Sequence, residues 1–189
     1  MYYLYEGDDV MPIFSENYKR DRAVEYADFW AYRRNPEYYS FSGIGGDCTN
    51  FVSQCIYYAN GVMNYTKDFG WYYIDINDRA AAWTGVDFFY NFITTNEGVG
   101  PYGEETSIEN IEIGDVIQMQ FNDDSTFQHT VIVMSIDGEP SPETIRVAAH
   151  SNDSNCRQLD SYQYQAIRFL HILGVRKEFS DLLNNIIPR

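Results

Sequence analysis

The sequence has few basic residues, and this scarcity excludes several classes of partner. Thirteen Lys and Arg stand against 28 Asp and Glu, which gives a formal net charge of −15 and a pI near 4.4. Nucleic-acid binding needs Lys and Arg to displace counterions from phosphates, and anionic membranes need the same charge. We therefore expect no nucleic-acid partner and no binding to an anionic membrane surface.

Long hydrophobic runs are also missing. No stretch of about 18 apolar residues occurs, so we expect no membrane span. Residues 1–10 lack both the basic and the apolar region of a secretory signal. The chain as written therefore shows no export address, and composition leaves a cytoplasmic location open.

Cysteine is scarce, with only Cys48, Cys55 and Cys156. Because the number is odd, at least one thiol is free. Cys48 and Cys55 lie in a predicted helix, where seven positions separate Cα atoms by about 10 Å, beyond the reach of a disulfide. These absences exclude a disulfide-stapled fold and direct attention to thiol reactivity.

What remains is a chain of ordinary hydrophobic content, 44%, and unusual aromatic content, 17%. At 189 residues it is long enough for one packed core, so we expect a single domain over 1–189 with its core at about 17–175. Three-residue and four-residue apolar spacing predicts helices. The predicted helical segments are 17–34, 49–60, 86–93 and 179–187.

A different pattern follows Gly114. Four β-branched or apolar runs, separated by turn-forming stretches, predict strands joined by short connections. These runs are 116–121, 129–136, 144–151 and 166–175. Helices followed by antiparallel strands are typical of the α+β class.

Cys48 is the candidate nucleophile. It follows the glycine-rich turn at 40–46 and opens an amphipathic helix, where backbone N–H groups and the helix dipole favour a thiolate. We expect Asp47 to cap this helix and the first-turn N–H groups to receive an oxyanion. Cys55 falls on the apolar stripe of the same helix and is expected to be a core residue.

Only three histidines can serve as a base. His129 opens a predicted strand and His150 closes the next, so antiparallel pairing would bring the two histidines to the same sheet end. We predict His129 as general base and His150 as the residue that orients it, with Asn152 and Asp153 as alternatives. His171 lies within an apolar strand and is expected to have no catalytic role.

A zinc site is the rival interpretation of Cys48, His129 and His150, because one thiolate and two imidazoles can bind zinc. The three residues come from separate elements and no CxxC or HExxH motif supports a metal. We therefore expect no metal and no cofactor. Asp47 and three aromatic residues, Trp71, Tyr73 and Trp83, are the predicted substrate-binding residues.

The run GGDCTNFVSQC at 45–55 resembles the amidase domain family of mainly Firmicute bacteria, which is related to the CHAP and NlpC-type papain-like peptidases. Further pieces of the resemblance occur in the same order along the chain. They are the 18–34 helix with Asn35-Pro36 and Tyr38, Gly114-Asp115 before a strand, 124–129, and Ala149-His150. The resemblance covers about 150 residues and leaves 1–16 and 176–189 outside.

The resemblance implies a papain-like fold in which a helix carrying Cys48 packs against an antiparallel sheet carrying His129, with His150 in a catalytic role. It implies hydrolysis of amide bonds through a thioester, with peptides or peptidoglycan stem peptides as substrates. Members are commonly exported or joined to wall-directed modules, which implies a cell-wall location and a separate targeting module. The alternatives are an acyl-transferring enzyme of transpeptidase or transglutaminase type, and a catalytically silent module that binds the cell wall or peptides.

Overall fold

A seven-stranded antiparallel sheet with helices on one face forms the computed structural model, which describes residues 12–123 and 125–178. The helices are α1 (Arg20–Trp30), α2 (Cys48–Asn60), α3 (Ala81–Thr84) and α4 (Val86–Thr95). The strands are β1 (Ile13–Glu16), β2 (Gly100–Thr106), β3 (Val116–Gln120), β4 (His129–Ile136), β5 (Ile145–Ala149), β6 (Ser154–Gln158) and β7 (Ala166–Glu178). Two short 3₁₀ helices, Ile108–Asn110 and Leu159–Ser161, complete these elements.

The sheet runs in the order β1-β7-β3-β4-β5-β6, with β2 also paired to β7. Every pairing is antiparallel. The α+β class is therefore confirmed, and so is the placement of Cys48 on a helix and His129 on an antiparallel sheet. The described part of the chain contains no helix that is long and apolar enough to cross a membrane.

Side-chain alternation along the strands divides the core into two layers. Ile132 and Ala148 point toward the helices and pack with residues of α1 and α2. Val131 and Val147, one position away on the same strands, belong to the layer on the opposite face of the sheet. Alternate residues of β4 and β5 therefore belong to different layers of the core, one on each face of the sheet.

The predicted elements agree with the structure at several boundaries. Strand β4 has the predicted bounds, and α2 begins one residue before its predicted start. It ends at Asn60, and the next residue, Gly61, has a φ of 69° that suits a helix C-terminus. Sequence patterns missed β1, β2, β6 and α3. The helix predicted at 179–187 lies outside the described residues.

A buried polar contact connects α2 to the sheet. The hydroxyls of Thr49 and Thr130 share a hydrogen bond of 2.9 Å, and both side chains are fully buried. The amide of Gln118 on β3 donates to the Thr130 hydroxyl at 3.2 Å and to the Val86 carbonyl at 2.9 Å. This network fixes the first turn of α2 at the start of β4.

Replacing Thr49 by Val should lower the free energy of unfolding by about 1 kcal/mol, because Val keeps the shape but leaves the Thr130 hydroxyl with fewer partners. Thr66→Val is the matched control, because Thr66 is exposed and its change should stay within about 0.5 kcal/mol. Urea unfolding followed by circular dichroism measures both. Equal stability of the two variants would show that the contact does not hold the helix to the sheet.

Candidate active site

The first two turns of α2 carry polar side chains that are buried instead of exposed. Each of the five residues has less than one tenth of its surface exposed, and each makes a hydrogen bond to another part of the fold. They are Asp47, Thr49, Asn50, Ser53 and Gln54. Buried polar groups must be paired. The polar residues of the GGDCTNFVSQC run therefore position α2 by hydrogen bonds, in addition to the packing of its apolar residues.

The turn before α2 needs glycine at position 46. Gly46 has φ of 106°, which side chains rarely adopt, and a Cβ there would lie 3.4 Å from Ser151 Oγ. The next residue, Asp47, donates its backbone N–H to the same Ser151 hydroxyl at 2.7 Å. The loop after β5 therefore contacts the start of α2 directly.

Asp47 is buried and binds several neighbouring groups, but its side chain does not make the capping hydrogen bond to α2 that the sequence predicted. Its Oδ1 accepts from the Phe41 N–H at 2.9 Å and from the Asn50 amide at 2.8 Å, while Arg34 Nε lies 3.1 Å from Oδ2. Burial would raise the pKa of Asp47, but hydrogen bonds from His150, Phe41 and Asn50 outweigh it and hold that pKa below its ordinary value. The side chain is fully buried, so the structure leaves no exposed surface of Asp47 for a substrate to contact.

His150 lies against Asp47, not against His129. Its Nδ1 is 2.8 Å from Asp47 Oδ2, its Nε2 is 3.0 Å from the Trp30 carbonyl oxygen, and its ring stacks on Phe51 with centroids 4.0 Å apart. Both ring nitrogens are thus engaged by acceptors. His150 belongs to the helix-facing layer, whereas His129 shares the opposite face with Val131 and Val133, so the structure does not bring the two histidines together.

An open cleft of about 450 Å³ brings Cys48 and His129 together at one end of the sheet. Its walls come from the turn before α2, the start of that helix, one end each of β3 and β4, the loop after β5, and β6 with the segment that follows it. The lining residues are Gly45, Gly46, Cys48, Phe121, Gln128, His129, Ser151, Asn152, Arg157, Tyr162 and Gln163. The cleft is therefore assembled around the helix start and the strand start that the sequence singled out.

Cys48 is a buried thiol, with 5% of its surface exposed. Burial raises the pKa of Cys48, although its own backbone, the backbone and hydroxyl of Thr49 and the backbone of Thr130 act in the opposite direction. The expected lowering of the thiol pKa by the helix start was wrong for this state of the protein, because desolvation of the thiolate outweighs the nearby donors. The sulfur is therefore a neutral thiol near neutral pH.

His129 is buried on the opposite layer and has unusual electrostatics. Burial, followed by the positive charge of Arg157, lowers the pKa of His129 to about 4. Its ring lies 6.0 Å from the Phe121 ring and 5.8 Å from the Tyr162 ring, measured between centroids. Among the residues that the structure describes, no hydrogen bond joins Cys48 to His129. A neutral thiol and a neutral imidazole thus line one cleft.

The alternatives for the third residue lie in different surroundings. Asn152 lines the cleft and has φ of 87°. Asp153 instead pairs with Arg34, with Oδ1 2.7 Å from Nη2 and Oδ2 3.0 Å from Nη1. His171 lies in β7, where its Nδ1 is 2.7 Å from Asp115 Oδ2. Of the predicted third residues, only Asn152 shares the cleft with His129.

The zinc ligands considered from the sequence are not assembled, since both nitrogens of His150 have other partners. Over 12–123 and 125–178, no group of three or more His, Cys, Asp and Glu side chains has a geometry that could hold a metal ion.

The aromatic residues predicted to bind substrate are core residues that support α2. Trp71 and Trp83 are fully buried, and their indole N–H groups donate to Ser53 Oγ at 3.0 Å and to Asn50 Oδ1 at 2.9 Å. Tyr73 is 8% exposed and its hydroxyl accepts from the Tyr39 N–H. None of the three lines the cleft, so the structure places these predicted substrate-binding residues in the core and not beside Cys48 and His129.

Sequence reasoning missed several cleft residues. Gln128, Arg157 and Tyr162 line the cleft, but they lie in or beside segments that sequence patterns identify only as turns. Thr130 could have been identified from the sequence, because it is a small polar residue on the face of the strand that otherwise carries Ile132 and Met134. Such a position predicts a buried hydrogen-bond partner.

The fold and the cleft define an α+β domain that brings a thiol, an imidazole and helix-start N–H groups to one site, an arrangement suited to acyl transfer. The chain belongs to the family described as "Putative amidase domain", whose model matches residues 17–173. This match confirms the resemblance to the amidase family and supports amide hydrolysis as the class of reaction.

Two curated relatives come from Bacillus subtilis (strain 168). "Uncharacterized protein YhbB" is 30% identical over 156 residues, which cover 80% of this chain and 48% of the relative. "Uncharacterized protein YjcM" is 28% identical over 127 residues, covering 64% of this chain and 28% of that protein. This chain therefore spans about half the length of YhbB and a smaller share of YjcM. No solved structure matches the chain significantly.

The raised pKa of Cys48 leads to a testable expectation about alkylation. Near pH 7, iodoacetamide should modify Cys48 more slowly than the exposed Cys156, because the neutral, buried thiol is a poor nucleophile. The Cys48 rate should keep rising toward alkaline pH, because burial raises the pKa of its thiol. Peptide mass spectrometry over pH 6–10 gives both rates, and Cys156→Ser serves as control. Faster modification of Cys48 than of Cys156 at pH 7 would contradict a neutral resting thiol.

Proposed function

We propose that this protein hydrolyses amide bonds with Cys48 as nucleophile and His129 as general base. The observation that carries the proposal is that both side chains line one cleft, with the sulfur beside the first turn of α2. The family supplies the class of reaction. The cysteine mechanism is inferred from the chemistry of these two groups.

The resting pair is suited to general-base catalysis. His129, whose pKa is lowered to about 4, is unprotonated at neutral pH and can accept a proton. As the Cys48 sulfur attacks the amide carbonyl, its proton passes to the His129 ring, and the developing oxyanion meets first-turn N–H groups that lack helical partners. A closer approach of the ring to the sulfur is required, because no hydrogen bond joins them at rest.

The second half of the reaction uses the same groups. His129 returns its proton to the leaving amine, the carbon–nitrogen bond breaks, and a thioester on Cys48 remains. Water then attacks the thioester with His129 again as base, releasing the acid and the free thiol. Asn152, which shares the cleft with His129, is the proposed residue that orients the imidazole.

Peptides, and peptidoglycan stem peptides in particular, are the proposed substrates. The helix carrying Cys48 and the antiparallel sheet carrying His129 support a relation to papain-like peptidases of the CHAP and NlpC type, within which this substrate class is proposed. The cleft also suits a peptide, because it is open and has mixed polar and aromatic walls. A separate wall-targeting module remains part of this proposal, since an acidic chain has no charge attraction to an anionic wall.

Digestion of purified peptidoglycan and of a peptide library, with products identified by mass, tests the proposal. Wild type and Cys156→Ser should release the same products at similar rates. Cys48→Ala and His129→Gln should lower the rate by about 10³-fold or more, because each removes a group needed in both half reactions. Unchanged product release by Cys48→Ala would refute the nucleophile. Added amines should leave the product as the free acid, and amine-linked products would instead indicate acyl transfer.

A further inference from the structure

The cleft has a positive charge in a strongly acidic protein. The chain carries a formal net charge of −15, yet among the described lining residues Arg157 is the sole Lys, Arg, Asp or Glu. His129, the other titratable base of the cleft, is neutral near pH 7 because its pKa is lowered to about 4. A negative group entering the cleft therefore meets one cation and no carboxylate from the described lining.

Arg157 is held in place in a way that leaves donors unused. Its Nε donates to Ser161 Oγ at 2.8 Å and its Nη2 to the Ser161 carbonyl at 3.1 Å. The guanidinium lies over the Tyr162 ring, 3.7 Å from the centroid. Within the described chain, Nη1 makes no hydrogen bond. The side chain is thus preorganised by β6 and the following 3₁₀ turn, with part of its planar fork available to a ligand.

Arg157 is also close to the catalytic histidine. The Tyr162 ring that supports the guanidinium lies 5.8 Å from the His129 ring, and the charge of Arg157 contributes to the lowered pKa of His129. A carboxylate bound to Arg157 would offset this charge and make His129 a stronger base. Binding of an anionic group and activation of the base would therefore be coupled.

We propose that Arg157 binds a carboxylate of the substrate, so that the cleft selects amides that carry a carboxylate close to the bond to be cleaved. Arginine recognises carboxylates through paired N–H donors, and the charge strengthens these hydrogen bonds. This inference rests on the proposed amide hydrolysis, and it narrows the substrate to acidic peptides or peptides cleaved near a free C-terminus.

Binding to the Cys48→Ala variant tests the inference without requiring turnover. The probes are N-acetyl-alanyl-alanine and its C-terminal carboxamide, which differ only in the carboxylate, measured by isothermal titration calorimetry. The carboxylate probe should bind about tenfold or more tightly than the amide, as expected for a charge-assisted hydrogen bond. Adding Arg157→Gln should abolish the preference, and Arg157→Lys should retain part of it.

Arg146→Gln is the matched control, because Arg146 pairs with Asp137 and does not line the cleft; its preference should equal that of the parent. Equal affinity for the two probes, no binding of either, or an unchanged preference in Arg157→Gln would overturn the inference. Failure of the proposed function would give a different result. In that case Cys48→Ala would still hydrolyse substrate in the digestion assay, while the binding preference for the carboxylate probe persisted.

Discussion

The hydrogen bond between Thr49 and Thr130 is the contact on which the rest of the site depends. It joins the first turn of α2 to the first residues of β4, within a fully buried network that extends to Gln118. Cys48 and His129 are the immediate neighbours of these two threonines in sequence. Because a buried hydroxyl that loses its partner is costly, the thiol and the imidazole are held at one cleft by a structural bond that neither of them makes.

Burial then decides the chemistry of the pair. A thiol at an exposed helix start would ionise easily, but here desolvation raises the pKa of Cys48 and lowers that of His129. Both groups are therefore neutral at rest, and in the proposed reaction the negative charge would develop on the substrate carbonyl oxygen. Asp47 and His150, whose side chains meet at 2.8 Å, stabilise the turn that precedes Cys48.

The sequence allowed the fold class, the helix of Cys48 and the strand of His129 to be predicted, because hydrophobic periodicity and Gly61 mark these elements locally. The role of His150 could not be read in this way. The partner of His150 depends on which face of the sheet its side chain occupies. A shift of one residue in the alternation along a strand moves a side chain to the other face, and His150 and His129 lie on opposite faces. Trp71, Tyr73 and Trp83 were predicted near the substrate for a related reason. The sequence shows that these residues are aromatic, but it does not show whether a buried group of the core, such as the Asn or Ser side chains that pair with the two Trp residues, forms a hydrogen bond with their polar atoms. Arg157 lies on a short strand within a polar region that has no periodic signal.

Trapping the covalent intermediate tests the central claim most directly. A substrate amide mixed with the enzyme and quenched in acid within one turnover should leave an acyl group on the peptide that contains Cys48, detected by intact-protein and peptide mass spectrometry. His129→Gln should show little of this adduct, because the sulfur would lose its base. Turnover with no adduct on Cys48, or with the acyl group on another residue, would contradict the account.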